Sequence, residues 1–187
     1  MCGIAGMLSP RPGREAVARM TAAMSHRGPD DSGVASARTG GLRLALGSTR
    51  LAILDPSPAG HMPMHDPASG NWIVYSGEVY NYKELRGELE SLGEGFRSGT
   101  DTEVVLKAYR RWRDDMLNRL RGMFAFAIWD QARQELLLAR DRLGEKPLYY
   151  CQAPGETFLF ASEVRALLAS GAVERRLETE ALSVYLA

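Results

Sequence analysis

The chain is 187 residues long, 45% hydrophobic and 25% charged, and its 23 Lys and Arg are matched by 23 Asp and Glu for a formal net charge of zero. That balance gives no footing for a nucleic-acid or membrane-surface partner, and Arg-rich stretches such as Arg110-Arg111-Trp112-Arg113 read as solvated helix faces. No apolar run approaches the roughly 20 residues of a membrane span, and the start lacks the basic and apolar segments of a signal peptide, so one compact domain in the cytoplasm is expected.

In chain order, Ile4 to Ser9 reads as a first buried strand, and Pro10 to Gly13 turns into a helix from about Glu15 to Ser25 with Met20 and Met24 on its apolar face. Ser32 to Arg38 and Leu42 to Gly47 read as strands of a hairpin joined at Thr39-Gly40-Gly41, and Leu51 to Leu54 continues the apolar run up to Asp55-Pro56. Asn71 to Ser76 is a further strand. Tyr82, Leu85, Leu89 and Leu92 then recur at helical spacing, Gly93 and Gly95 end that helix, and Thr100 or Asp101 caps another running to about Trp112. The period changes to two where Phe124, Phe126 and Ile128 alternate with Ala125, Ala127 and Trp129; Glu135 to Ala139 and Thr157 to Ala161 follow as strands. Ser162 to Ala169 reads as a short helix, and the chain ends inside an amphipathic pattern from Leu177 to Ala187, as a piece that continues would, with a short terminal helix as the alternative. Strand groups covered by a few amphipathic helices imply α+β layering and argue against a regular βαβ alternation.

The reactive side chains are few. Cys2 and Cys151 stand too far apart in sequence to form a disulfide framework and lack zinc spacing, and Cys151 reads as a strand residue. His61 and His65 are four apart, but Pro63 breaks any helix that would align them, so a polar loop is expected and no metal site. His26 precedes the Gly28-Pro29 turn and has a positional job. Cys2 is different in kind. Once the initiator methionine is removed, its thiol and its α-amine share one residue, and with reference pKa values of about 8.5 and about 7.7 to 8.0 the amine can take the thiol proton near neutral pH. A cysteine at position 2 carries little weight without a site around it.

Several motifs acquire meaning together: Met1-Cys2-Gly3-Ile4, His26 to Asp31, Leu46 to Asp55, Gly77-Glu78-Val79-Tyr80-Asn81 and Thr100 to Val104, followed by Gly122 to Ala127, Arg140 to Tyr150 and Phe160 to Glu163. In order and spacing they resemble the glutaminase domain of glutamine-hydrolysing asparagine synthetase, a class II glutamine amidotransferase, across nearly all of the chain. The resemblance implies an N-terminal nucleophile hydrolase fold, a four-layer αββα sandwich of two antiparallel sheets, over residues 2–170. Residues 171–187 would begin a linker toward a C-terminal ATP-dependent synthetase domain.

The same resemblance implies roles for particular residues. Cys2 would attack the side-chain amide of L-glutamine, with Ser76 and Gly77 at the oxyanion position. Arg50 would hold the α-carboxylate, Glu78 and Asp101 the α-ammonium, and Leu51, Ile53 and Leu54 the rest of the substrate. No cofactor or metal is implied for this domain; ATP and magnesium belong to the synthetase domain, and a homodimer is compatible with the pattern. Two positions depart from the family. Ser76 stands where an Asn carboxamide is usual, which predicts slow hydrolysis because one oxyanion donor is worth about 10²–10³ in rate. Met62 replaces the usual Gln of a Gly-His-Gln-Pro-Met segment. A glutamine-sensing domain with a decayed oxyanion site, a cysteine hydrolase acting on another amide, and an amidotransferase half serving an acceptor other than aspartate remain the competing readings.

Overall fold

The computed structural model describes residues 1–186. The strands are β1 (Gly3–Ser9), β2 (Asp31–Thr39), β3 (Leu42–Arg50), β4 (Met64–His65), β5 (Trp72–Val79), β6 (Gly122–Asp130), β7 (Glu135–Arg140), β8 (Tyr149–Ala153) and β9 (Thr157–Ala161). The helices are α1 (Arg14–Ala22), α2 (Tyr82–Ser91), α3 (Asp101–Trp112), α4 (Val164–Ala169) and α5 (Thr179–Leu186). One sheet runs β2-β3-β1-β9-β8 and the other β4-β5-β6-β7, and every pairing in both is antiparallel.

The period of two sorts the apolar residues of the strands into separate layers. Ile4, Leu44, Leu46 and Phe160 point inward to meet Val74, Ala125, Ala127 and Trp129 of the facing sheet. Their chain neighbours Ala5, Met7, Ala45, Leu159 and Ala161 point outward onto Val17 and Met20 of α1 and Ala166 and Leu167 of α4. On the far side, Ile73, Tyr75, Phe124, Phe126 and Ile128 pack under Leu85 and Leu89 of α2 and Val104, Val105 and Ala108 of α3. The layers are therefore helix, sheet, sheet, helix, and the sheets carry apolar residues on both faces because both faces are covered. Among the described residues no helix is long and apolar enough to cross a membrane.

Four local features differ from the sequence expectation, each for a physical reason. Helix α1 ends at Ala22, and the chain tightens into a 3-10 turn at Ser25–Arg27 before Gly28 and Pro29. Strand β3 runs past Gly47 to Arg50, where pairing with β1 and β2 keeps it in the sheet, and Leu51 to Leu54 then leave the sheet as a loop. Thr100, not Asp101, caps α3, its Oγ1 accepting the Glu103 N–H at 3.2 Å, which leaves the Asp101 carboxylate for another partner. The segment around His61 and His65 includes the two-residue strand β4, paired with Ile73 and Trp72, and His61 Nδ1 lies 2.7 Å from Asp31 Oδ2.

A close aromatic contact lies on β1. Gly6 pairs with Phe160, whose ring lies over it, and a Cβ built at Gly6 would stand 2.2 Å from a ring carbon. Gly6→Ala is expected to lower unfolding stability by about 1–3 kcal/mol, the usual cost of overpacking a filled core. A shift of the urea midpoint at constant slope checks this; an unchanged midpoint would mean the ring yields freely.

Candidate active site

The register of β1 against β3 sets Gly3 opposite Thr49, and one further step places Cys2 opposite Arg50. This end of β1 is fastened from four parts of the chain. The Gly3 N–H donates to Thr49 Oγ1 at 3.1 Å, and Ile4 exchanges two bonds with Ser162, its N–H to Oγ at 3.0 Å and its carbonyl from the Ser162 N–H at 2.9 Å. The Cys2 carbonyl accepts Arg27 Nε at 3.0 Å and Ser76 Oγ at 2.8 Å. Arg27 is itself held by Glu163, 3.2 Å from its Nη1, and Glu163 also meets His26 and Arg165.

The half-buried Cys2 thiol sits against Leu51, whose N–H points at Sγ from 3.4 Å. Burial pushes the thiol above its ordinary pKa, with the Leu51 amide, the N-terminal charge and Arg50 pulling the other way. The resting group is thus a thiol that needs a base to become a nucleophile.

Arg50 is buried and reaches over Gly60, where a Cβ would fall 1.9 Å from Nη2. Its guanidinium donates to the carbonyls of Ser57 at 3.1 Å, Leu54 at 3.3 Å and Asp55 at 2.5 Å, which shapes the loop after β3 and leaves the positive charge unmatched by any carboxylate at ion-pair distance among the described residues. Asp55 ties the same loop to the start of α3 by accepting the Gly99 N–H at 2.6 Å.

Two anions face this cation. Asp101, buried in the first turn of α3, accepts the Tyr75 hydroxyl at 2.6 Å and the Val79 N–H at 2.9 Å. Burial pushes its carboxyl up, against those two bonds, which favour the charged form. Glu78 is exposed at the rim of the cleft.

The β5–β6 ladder decides where the Gly77 N–H goes. Gly77 pairs with Phe124, and Phe124 spends its N–H on Asp141 Oδ2 at 3.2 Å and its carbonyl on the Asp141 N–H at 2.8 Å, both on the side away from β5. Gly77 and Phe124 are then a non-hydrogen-bonded pair, so the Gly77 N–H turns away from β6, as the Val79 N–H two residues on does in reaching Asp101. Ser76 lies on the opposite face, outside the lining of the cleft, with its hydroxyl proton committed to the Cys2 carbonyl. The sequence expectation of Ser76 as an oxyanion donor is thus not what the geometry presents: this hydroxyl fixes the nucleophile's main chain. Met62 is buried and lines the cleft, and its carbonyl accepts Ser48 Oγ at 2.8 Å.

Cys2, Arg50, Leu51, Ile53 and Leu54 line one side of a single cleft, and Gly77, Glu78 and Asp101 the other. Two cations, Arg50 and Lys146, and two anions, Asp101 and Glu78, stand around a thiol in one cleft, an arrangement that suits a small zwitterion carrying an electrophilic carbon. A family model described as a glutamine amidotransferase domain matches residues 1–187. The chain belongs to this family.

The amidotransferase domain is 41% identical over 98% of its length to asparagine synthetase [glutamine-hydrolyzing] 3 of Bacillus subtilis and 38% identical over all of it to asparagine synthetase [glutamine-hydrolyzing] 1 of the same organism. It is also 38% identical, over 79% of its length, to amidase chry2 of Gibberella zeae. The domain spans 30%, 29% and 22% of these three relatives. Among solved structures, the glutamine phosphoribosylpyrophosphate amidotransferase of Bacillus subtilis, complexed with ADP and GMP, shares the fold: the TM-score is 0.79 at 22% identity, covering 94% of this domain and 45% of that chain. This bears out the αββα fold expected from sequence.

Sequence reasoning assigned no role to Arg27, Tyr75, Ser162, Glu163 or Lys146, all of which hold or line the site. Arg27 and the Ser162-Glu163 pair lie inside segments that carried the resemblance, so the pattern marked them without saying what they touch.

Glu163 supplies a pH test of the clamp on Cys2. Burial works against its ionisation, but hydrogen bonds from Arg165, His26 and Arg27 outweigh that and hold the carboxyl at about 2, below the ordinary 4.5. A depressed carboxylate pKa stabilises the fold above the ordinary value, and that stability is lost as pH falls from 4.5 toward 2. Glu163→Gln should therefore unfold more easily than wild type near neutral pH, by about 3 kcal/mol at most, with the gap closing toward pH 2. Thermal midpoints of both proteins against pH check it; a gap that does not change with pH would exclude the charge as the cause.

Proposed function

We propose that this domain hydrolyses L-glutamine to glutamate and ammonia through a thioester on Cys2, in a chain from which Met1 has been removed. The observation that carries the reading is the placement of Arg50, Asp101 and Glu78 around the Cys2 thiol. Arg50 pairs with the substrate α-carboxylate, and Asp101 and Glu78 with its α-ammonium, so simple amides lacking either charge are rejected.

Each step has a group to carry it. The α-amine of Cys2 takes the thiol proton as sulfur attacks the amide carbon, and the oxygen gains negative charge facing the Gly77 N–H. The protonated amine then gives that proton to the departing nitrogen, ammonia leaves, and the acyl group stays on sulfur. Water, deprotonated by the same amine, attacks the thioester and releases glutamate. These steps transfer protons and an acyl group only, so the domain requires no metal or organic cofactor for them. The two Bacillus subtilis relatives are named for glutamine hydrolysis and asparagine synthesis and are about three times longer, which supports ammonia delivery to an ATP-dependent synthetase domain. ATP, magnesium and the acceptor carboxylate, aspartate or another, belong there.

Because Ser76 offers its proton to the Cys2 carbonyl, one oxyanion donor usual in this family is lacking, and slow turnover is expected. The same observation favours a second reading, a glutamine-binding domain with little hydrolysis.

Intact-mass analysis should find the mature chain starting at Cys2, and Cys2→Ala should abolish ammonia release from L-glutamine while leaving its binding in place. Ammonia release unchanged by Cys2→Ala would end the proposal, and glutamine binding without release by wild type would select the second reading. Ser76→Ala should lower kcat by about fivefold to tenfold, roughly the worth of one neutral hydrogen bond, because the Cys2 carbonyl loses the hydroxyl that fixes it. An unchanged kcat in that variant would mean that Arg27 alone holds the main chain of Cys2.

A further inference from the structure

With Met1 in place Lys146 is 5% exposed, among the described residues it joins no ion pair, and its Nζ lies 2.7 Å from the Met1 sulfur. Removal of Met1 takes away part of that cover, so the position of the ammonium depends on the loop that carries it. The loop carrying it is rigidly built. The Asp141 carboxylate accepts the N–H groups of Leu143 at 3.1 Å, Glu145 at 2.9 Å, Lys146 at 3.0 Å and Phe124 at 3.2 Å, while Arg140 Nε donates to the Lys146 carbonyl at 2.6 Å. The side chain so presented lines the same cleft as Cys2. Met1 is the residue whose removal creates the α-amine, so the ammonium of Lys146 is left within one methionine side chain of the new terminus.

We propose that Lys146 acts through the Cys2 α-amine: its fixed positive charge disfavours a second positive charge beside it and so keeps the amine neutral and available as the base. This rests on the reading of Cys2 as an N-terminal nucleophile. The other charged or titratable groups facing the amine are the Cys2 thiol, Arg50 at the end of β3, Tyr75 and Glu78 on β5, Asp101 on α3, and Arg27 through the Cys2 carbonyl. Asp101 and Glu78 favour the protonated amine, and Arg50, drawn toward the carbonyls of Leu54, Asp55 and Ser57, serves the substrate carboxylate. Without Lys146 the two acids would dominate the field at the terminus, and the amine would hold its proton at the pH where it must accept one.

The sign follows from charge alone. Removing a nearby cation stabilises the protonated amine, so the acidic limb of activity moves to higher pH. The test compares wild type, Lys146→Met, which keeps the apolar stem, and Lys146→Arg, which keeps the charge. Two profiles are read for each across the range where α-amines titrate: kcat/KM for L-glutamine, and the rate of acylation of the residue-2 α-amine by acetic anhydride in a Cys2→Ser background, followed by intact mass, which needs no substrate and reads the amine itself. In Lys146→Met the acidic limb of both should rise by about one pH unit, and in Lys146→Arg it should stay near wild type. If Lys146→Met does not fold, Lys146→Gln carries the same comparison. An unmoved limb in the neutral variant overturns the proposal however far the rate has dropped, and so does a mature wild-type chain that keeps Met1. If acylation of the amine shifts as expected but wild type releases no ammonia, the charge effect stands and the glutaminase reading fails.

Discussion

Everything at this site depends on holding still a residue at the end of the chain. Termini fray because nothing on one side restrains them, and an N-terminal nucleophile has to be the residue that frays most. Here the first strand is placed between β3 and β9, so that its ladder bonds are satisfied on both edges. Side chains from Thr49, Ser162, Arg27 and Ser76 then fasten residues 2 to 4 individually. Side-chain to backbone bonds suit this task, since the backbone of a terminal residue is what must not move while its thiol and amine remain free.

The second constraint is electrostatic. The cleft gathers Arg50, Asp101 and Lys146, each nearly buried, and among the described residues Arg50 and Lys146 have no carboxylate at ion-pair distance. Elsewhere in the domain buried charges are paired conventionally: Asp66 with Lys107 at 2.9 Å and Arg110 at 3.2 Å, Asp130 with Arg113. Burial opposes the ionisation of Asp66, yet its bonds from Ser69, Lys107 and Arg110 hold its carboxyl far below the ordinary range, whereas burial raises Asp101. One carboxylate is settled by ion pairs within the fold; the other is held by a hydroxyl and a backbone N–H, with no cation paired to it among the described residues.

How much of this could be read from sequence depended on the distance over which each residue acts. The alternation of Phe124, Phe126 and Ile128 with Ala125, Ala127 and Trp129 was legible because each set fills one face of the strand, and the structure sends the first set under the helices and the second between the sheets. Thr100 was legible as a cap because its partner is three residues away. Arg27 and Glu163 were not, because each reads locally as a turn or helix-start residue and acquires meaning only through a contact spanning 136 residues. Ser76 was recognised by position and misjudged by direction: pattern matching says which residue stands at a place, while the pleat and the nearest acceptor decide where its hydroxyl turns. Lys146 was hidden in a run read only for resemblance, its environment set by the Asp141 turn and by Met1.

The bonds between Ile4 and Ser162 span 158 residues, which has a consequence for biogenesis. During synthesis the beginning of the chain emerges first and stays loose until Ser162 and Glu163 have followed it, because the strand and the ion pair that secure it come last. In that interval the first residues are extended, uncovered and open to an aminopeptidase, while the thiol has neither its Leu51 contact nor its pocket. If Met1 is removed as proposed, trimming is easiest while the thiol still lacks its pocket, and the order of the chain would separate the moment of trimming from the moment at which the nucleophile is assembled.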